Sequence, residues 1–218
     1  MSDTSRIDKT NPESFLDNMY DSMFNPQIQA VKAIDTWVVD DLHYPGFKKF
    51  LKLFESYDDR HIDYGNGTLY YKDKMKYPTD IDPTLDYHAW IKFQLQNVPI
   101  TVKEFKKAWG VKYPPGGYSG LHCHQPGKQL TSVLFLDTPK PSVDYPLAGS
   151  LTTLQPTPDS TINYLQHKPI AGRVVIMDGK VFHGTYPTLE DRHVFVCDFD
   201  YAGNCVWFYT RCVDYLHR

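Results

Sequence analysis

Three histidines in this sequence are spaced so that they can share one metal ion. His122 and His124 flank Cys123, and successive side chains of a β-strand point to opposite faces, so both imidazoles are predicted to lie on one face of a strand. His183 follows an apolar run and a tight Asp-Gly turn, which presents it from a later hairpin. Imidazole suits iron, zinc, copper and nickel. The spacing predicts a three-histidine metal site with coordination positions left for other ligands.

Arg192 lies nine residues after His183, at the start of the next predicted strand. A chain that runs away from His183 and returns brings this guanidinium into the same interior, where it is costly unless it meets an anion. A guanidinium binds a carboxylate through two parallel hydrogen bonds. A metal and a buried arginine together predict a dicarboxylate that spans them. The alternative is a surface ion pair of Arg192 with Glu190 or Asp198.

The elements that must position these residues are predicted to be mostly short strands. Aromatic residues make up 15% of the chain, and 16 prolines and 13 glycines punctuate it, which favours β-structure with many turns. One amphipathic helix is predicted over 46–57, whereas 74–92 is interpreted as an irregular active-site loop and 155–170 as a further loop. Strands are predicted at 68–72, 104–113, 130–137, 149–154, 173–177, 180–186, 193–200 and 205–212, and 28–39 is predicted to be a short helix running into a strand.

Composition excludes several classes of protein. The formal net charge of −3 and the lack of a basic face argue against a general nucleic-acid binder. No run of 18 apolar residues and no apolar leader is present, so no membrane association is expected. Four cysteines without a CxxC pair indicate reduced thiols and a cytoplasmic protein, with Cys123 as a buried packing thiol. We expect an N-terminal arm over 1–25 and a single domain over 26–218.

Residues 104–200 resemble the Fe(II)/2-oxoglutarate-dependent oxygenases of the prolyl-4-hydroxylase-like branch, particularly the small oxygenases of bacteria and phages. The segments that carry the resemblance are 108–137, 149–154 and 171–200. It implies a mainly β (α+β) fold, with a double-stranded β-helix (jelly-roll) core over about 100–212 and N-terminal helices packed on it. It also implies that His122, His124 and His183 bind Fe(II).

The resemblance further implies that Arg192 holds the distal carboxylate of 2-oxoglutarate, with Tyr118 and Thr131 as additional co-substrate contacts. The family's usual ligand pattern is His-x-Asp/Glu and a later His, so His124 stands where a carboxylate is usual. Asp178 and Asp137 are the nearest carboxylates that could replace it as a ligand, and they rank below His124.

The implied activity is that of a non-haem dioxygenase, an oxidoreductase that uses O2 and 2-oxoglutarate to hydroxylate a substrate. A peptidyl residue such as proline is favoured as that substrate, and an amino acid, a nucleotide or another small molecule is the alternative. Two other functions compete with this interpretation. One is a cupin-type metal-dependent dioxygenase or isomerase that needs no 2-oxoglutarate, although the glutamate that cupins place after HxH is missing. The other is a non-catalytic β-sandwich module, which predicts no metal and no arginine near the histidines.

Overall fold

The computed structural model describes residues 38–56, 73–77, 79–96, 100–124, 129–156 and 161–203. A 3-10 turn at Pro45–Phe47 leads into helix α1 (Lys48–Ser56), and helix α2 is Asp82–Gln94. The strands are β1 (Val38–His43), β2 (Asp73–Tyr77), β3 (Ile100–Tyr113), β4 (Ser119–His122), β5 (Gln129–Phe135), β6 (Leu151–Pro156), β7 (Ile162–His167), β8 (Arg173–Asp178), β9 (Phe182–Thr185) and β10 (Arg192–Gly203).

These strands form two antiparallel sheets. The six-stranded sheet has the order β1-β8-β5-β10-β3-β2, and the four-stranded sheet has the order β4-β9-β6-β7. From β3 to β10 the described chain passes back and forth between the two sheets, and consecutive strands share a sheet there only at β6 and β7, as in a jelly roll. The predicted mainly β, jelly-roll fold is confirmed.

Strand β10 separates two hydrophobic clusters because its side chains alternate between faces. Val194 and Val196 point into the space between the sheets, whereas Phe195 and Phe199 join a cluster on the other face. Helix α1 covers that other face, with the ring centroid of Phe50 lying 3.9 Å from that of Phe195. Helices therefore seal one face of the large sheet and leave its inner face to form a pocket.

The helix predicted over 46–57 is confirmed at α1, and six predicted strands are confirmed with boundaries shifted by a few residues: β3, β5, β6, β8, β9 and β10. The predictions for 1–25, 68–72 and 205–212, and the helical part of 28–39, lie outside the described residues. None of the helices in the described ranges is long and apolar enough to cross a membrane.

Two predicted loops are wrong. Residues 74–92 contain most of β2 and of α2, whose buried residues Thr84, Tyr87 and Ile91 repeat at helical spacing. Pro83 obscured this pattern, although proline is well tolerated in the first turn of a helix. Residues 155–170 contain β7, an edge strand of the four-stranded sheet that is mostly exposed and therefore lacks a buried apolar face.

Candidate active site

The structure brings the three predicted histidines together. His122, the last residue of β4, lies directly opposite His183 of β9, and His124 follows two residues beyond the strand end. One ligand nitrogen from each ring lies within 4.8 Å of the others. The ring centroids are separated by 4.4 Å for His122 and His183, 5.0 Å for His124 and His183, and 5.4 Å for His122 and His124.

Two sequence-based details at this site are corrected. His124 lies two residues beyond the end of strand β4, so strand alternation does not by itself place its ring beside that of His122. Cys123 was predicted to be a buried packing thiol, but it is exposed. The rings of His122 and His124 both lie near that of His183, whereas the intervening side chain is on the surface.

Gly184 allows β4 and β9 to approach closely enough for His122 and His183 to meet. A Cβ at this position would lie 2.9 Å from the backbone oxygen of Ser119, closer than real Cβ atoms come. Any side chain at residue 184 would therefore push the two strands apart. The glycine is part of the geometry that places the imidazoles.

Backbone carbonyls fix the orientation of two of the rings. Nδ1 of His122 donates to the carbonyl oxygen of Gly120 at 2.8 Å, and Nδ1 of His183 donates to that of Val181 at 3.0 Å. A proton held on Nδ1 places the ring's lone pair on Nε2, the atom that then serves as a metal ligand. Burial, with the nearby His122 and His124, lowers the pKa of His183 well below its ordinary value, which favours the neutral form that binds metals.

A carboxylate orients the third ring. Nδ1 of His124 donates to Oδ1 of Asp198 at 2.7 Å, and the hydroxyl of Thr131 donates to the same oxygen at 2.7 Å. The ammonium of Lys107 lies 3.0 Å from Oδ2. Burial acts to raise the pKa of Asp198, but the hydrogen bond and charge of His124, with Thr131 and Lys107, hold that pKa below its ordinary value.

Asp198 was not predicted as a site residue. Its only predicted role was that of a surface partner for Arg192, although both residues lie in β10 at even spacing and so on one face of the strand. Thr131 was predicted to contact the co-substrate. The structure instead places its hydroxyl 2.9 Å from Nδ1 of His124 and in contact with Asp198, and Thr131 is not among the described residues that line the pocket.

Arg192 is completely buried. Its guanidinium carbon lies 4.6 Å from the centroid of the Tyr113 ring and 5.5 Å from that of Phe135. None of its three side-chain nitrogens has a hydrogen-bond partner in the described part of the chain, which excludes the surface pair with Glu190 or Asp198 there. Burial lowers the pKa of Arg192, as expected for a cation without a matching anion.

One pocket is lined by both the histidines and the arginine. A hydrogen-bonded group of Tyr113, Ser119 and Thr185 also lines it, with the hydroxyl of Thr185 accepting from the backbone N–H of Ser119 at 2.7 Å. The other lining residues are largely apolar: Trp109, Val111, Val133, Leu151, Gly184, Val194 and Val196.

The phenol of Tyr113 was not predicted from the sequence as part of the site. Burial raises its pKa, although the charge of Arg192 and hydrogen bonds with Thr185 and Ser119 act to lower it, so the phenol stays protonated and can donate a hydrogen bond. Tyr118, which was predicted to contact the co-substrate, is half-buried and is not among the described lining residues. Tyr113 precedes a Pro-Pro-Gly-Gly turn, and its role depends on how β3 pairs with β10 opposite Arg192.

Comparison with known proteins connects this architecture to solved structures. No protein-family model matches the sequence, and no curated protein matches it significantly. A prolyl-4-hydroxylase from Pseudomonas putida superposes with a TM-score of 0.57 at 17% identity, covering 75% of this chain and 91% of that one. The fold is that of the 2-oxoglutarate- and Fe(II)-dependent oxygenases.

Two further structures share this oxygenase fold. A prolyl hydroxylase from Trichoplax adhaerens, in complex with a hypoxia inducible factor oxygen degradation domain peptide fragment, has a TM-score of 0.56 at 14% identity and covers 88% of this chain and 94% of its own. HygX from Streptomyces hygroscopicus, with nickel and 2-oxoglutarate bound, has a TM-score of 0.53 at 13% identity. The match covers 76% of this chain and 82% of HygX. The likeness establishes the fold, and the chemistry of this chain follows from its pocket.

Within this oxygenase fold, neither carboxylate considered as a replacement for His124 lies among the described residues that line the pocket. Asp178 accepts hydrogen bonds from the hydroxyl of Tyr201 at 2.8 Å and the backbone N–H of Lys180 at 2.9 Å. Asp137 accepts from the backbone N–H of His193 at 2.9 Å and from its Nδ1 at 2.6 Å. Both carboxylates therefore bond to residues outside the described pocket lining, although the charge of Asp137 also acts to raise the pKa of Arg192.

Proposed function

We propose that this protein is a non-haem Fe(II)- and 2-oxoglutarate-dependent dioxygenase that hydroxylates its substrate. One observation supports this above all others. A single pocket contains three converging imidazoles and a fully buried guanidinium without a hydrogen-bond partner among the described residues. A non-catalytic module has no need of such an arrangement, because a buried unpaired cation destabilises the fold.

His122, His124 and His183 are the residues that would hold the metal. Their ligand nitrogens converge, and each Nδ1 is occupied by a hydrogen bond within the protein, so the rings are oriented before any ion arrives. Three nitrogen donors leave coordination positions for a bidentate acid and for O2. When bound, Fe(II) with 2-oxoglutarate supplies the activation of O2 that oxidises the substrate.

Arg192 is the residue that would hold the far carboxylate of 2-oxoglutarate. Its nitrogens offer the two parallel donors that a carboxylate accepts, and the phenol of Tyr113 lies beside them. The apolar walls exclude water, which strengthens this ion pair and protects reactive species from side reactions. The protein's own contribution is thus orientation, charge matching and exclusion of solvent.

A peptidyl residue such as proline is the substrate that we propose. Two of the similar structures are named as prolyl hydroxylases, and one of them is solved with a peptide fragment. A small molecule is the alternative, since another structure of this fold, HygX, is solved with hygromycin B bound. The apolar lining near the histidines fits an aliphatic carbon to be hydroxylated in either case.

The test begins with anaerobic addition of Fe(II) and 2-oxoglutarate to the purified protein. We expect a weak visible charge-transfer band, and succinate formation when O2 and proline-containing peptides are added. His122→Ala should abolish both signals, whereas His43→Ala, an exposed histidine outside the pocket, should keep them. Intact turnover in His122→Ala would refute the proposal. Metal binding without the band or succinate would favour the cupin-type alternative.

A further inference from the structure

The candidate metal site has an unusual balance of charge. Three neutral imidazoles bring no negative charge to a divalent cation, and Arg192 adds a positive charge to the same pocket. No carboxylate belongs to the described lining of the pocket. The nearest one by hydrogen bonding is Asp198, which is completely buried behind His124.

We propose that Asp198 supplies, through the ring of His124, the negative charge that a carboxylate ligand would otherwise bring to the metal. This inference rests on the proposed function, because it requires His124 to bind the metal. An imidazole whose Nδ1–H donates to a carboxylate is a stronger donor at Nε2. Burial strengthens this effect, because the low local dielectric reduces screening of the carboxylate's charge. Asp198 is therefore a positioning residue that also adjusts the electron density of a ligand.

The three rings differ in the partner at Nδ1, which makes the arrangement specific to one ligand. His122 and His183 each donate to a neutral backbone carbonyl, whereas His124 donates to a carboxylate at 2.7 Å. The ring with the carboxylate behind it is the ring at the position where the family pattern has Asp or Glu. The negative charge of a carboxylate is thus kept near the metal site, but it lies behind the ring of His124 and not at the ligand position.

Two neighbours hold Asp198 in place. The hydroxyl of Thr131 donates to Oδ1, the same oxygen that accepts from His124, at 2.7 Å. Lys107 lies 3.0 Å from Oδ2, but its side chain is 54% exposed, so water screens its charge. The carboxylate is therefore oriented on both sides without being neutralised by a buried cation.

This arrangement predicts a loss of metal affinity that depends on the residue at position 124, whereas general support of the fold predicts the same loss whatever that residue is. In the natural sequence Asp198→Asn removes the charge behind His124 and should weaken metal binding. In a His124→Asp background the carboxylate stands at the ligand position itself, and the charge of Asp198 becomes redundant. Two carboxylates close together repel, so in that background Asp198→Asn should leave metal binding unchanged or strengthen it.

The experiment compares four full-length chains: the natural sequence, Asp198→Asn, His124→Asp and the double variant. Anaerobic calorimetry with Co(II) alone measures affinity, and the visible absorption of bound Co(II) reports the ligand field without any need for turnover. We expect Asp198→Asn to weaken Co(II) binding about 10–100-fold in the natural background and not at all beside His124→Asp. Asp40→Asn, which removes the partner of a histidine outside the pocket, is the matched control and should leave Co(II) affinity unchanged.

The outcomes separate this inference from the proposed function. An equal loss in both backgrounds, or no loss in the natural background, overturns the role of Asp198. Absence of Co(II) binding by the natural sequence overturns the proposed function and this inference together. If circular dichroism shows that Asp198→Asn does not fold, Co(II) affinity is measured for Thr131→Val in the same two backgrounds, because Thr131 holds Asp198 in place. A several-fold loss confined to the natural background supports the inference, and an equal effect in both overturns it.

Discussion

Two places among the described residues combine a histidine, an aspartate and an arginine, and they use these residues differently. In the first, Nδ1 of His167 lies 2.6 Å from Asp40, and Nε2 lies 3.0 Å from the hydroxyl of Thr153. Arg173 binds the same aspartate through two hydrogen bonds of 2.9 and 2.8 Å. We call these four residues the inter-sheet clamp, because they join β1 and β8 of the large sheet to β6 and β7 of the small one.

In the pocket the same residue types are left incomplete. His124 donates from Nδ1 to Asp198, but its ring also faces two other imidazoles, which the ring of His167 does not within the described part of the chain. Arg192 has no hydrogen-bonding partner among the described residues, whereas the clamp's Arg173 grips a carboxylate. Residue type alone therefore does not separate a structural histidine or arginine from a functional one. The difference lies in which polar atoms the protein satisfies by itself.

The largest effect is expected when a histidine of the pocket is replaced and compared with the histidine of the inter-sheet clamp. His183→Ala removes one of the three proposed ligands, so its loss of Co(II) affinity should exceed the roughly 10–100-fold that changes in supporting partners cause. His167→Ala should leave Co(II) affinity unchanged but destabilise the fold by about 2–4 kcal/mol, because it empties a buried site and removes one hydrogen-bond partner from Asp40 and one from Thr153. Calorimetry and urea denaturation measure the two quantities. Loss of Co(II) binding in folded His167→Ala would break the distinction.

Replacing Arg192 or Arg173 with methionine should change the free energy of unfolding in opposite directions. Arg192→Met removes a buried cation without a partner among the described residues and should raise the free energy of unfolding of the metal-free protein. Arg173→Met should lower it by about 2 kcal/mol, because Asp40 loses a charged partner. The same two variants should differ in the affinity of the Co(II)-loaded protein for 2-oxoglutarate. Arg192→Met should weaken 2-oxoglutarate binding at least about 100-fold while Co(II) affinity is retained. Arg173→Met should leave 2-oxoglutarate affinity unchanged.

Denaturation of the metal-free chains and calorimetry of the Co(II)-loaded chains check these two predictions. If Arg192→Met loses Co(II), the residue supports the metal site itself rather than the co-substrate. If Arg192→Met destabilises the protein as much as Arg173→Met does, the guanidinium has a structural partner and the contrast with the clamp is wrong.

The parts of the site that local pattern determines were predictable from sequence. His183 follows a turn that any Asp-Gly pair favours, and Arg192 lies at the start of a strand whose alternation directs it inwards. The contact between His124 and Asp198 was not predictable, because it joins residues 74 positions apart. It depends on the register that sets Asp198 opposite Thr131 in β10 and β5, and no local pattern specifies that register.

The same distinction holds for the fold. Strands with a buried face, such as β8, show an apolar run that the sequence displays directly. The exposed edge strand β7 has no such run. It is a strand because its backbone pairs with β6, and its side-chain pattern does not indicate this. Its last residue, His167, completes the inter-sheet clamp, so the clamp was also beyond the reach of sequence patterns. Tertiary pairing decides these elements, and local preference does not.

The smallest expected effect concerns the backbone that supports Arg192. Gly149 has a φ of +70°, and a Cβ there would lie 3.3 Å from Cδ of Arg192. Gly116 has a φ of +80°, and a Cβ there would meet nothing within 4 Å. Alanine at either position has a left-handed conformation that costs about 1–2 kcal/mol. Only Gly149→Ala should also displace the guanidinium. We expect it to weaken 2-oxoglutarate binding about fivefold, which corresponds to about 1 kcal/mol of binding free energy.

Comparing these two alanine variants isolates the position of Arg192 from backbone strain, because both variants carry the strain and only one has the contact. Calorimetry with 2-oxoglutarate on the Co(II)-loaded protein measures the difference. Equal affinities in the two variants would mean that the arginine side chain adapts freely. A difference confined to Gly149→Ala would mean that Arg192, though unpaired by the described residues, is held as firmly by packing as Arg173 is by its carboxylate.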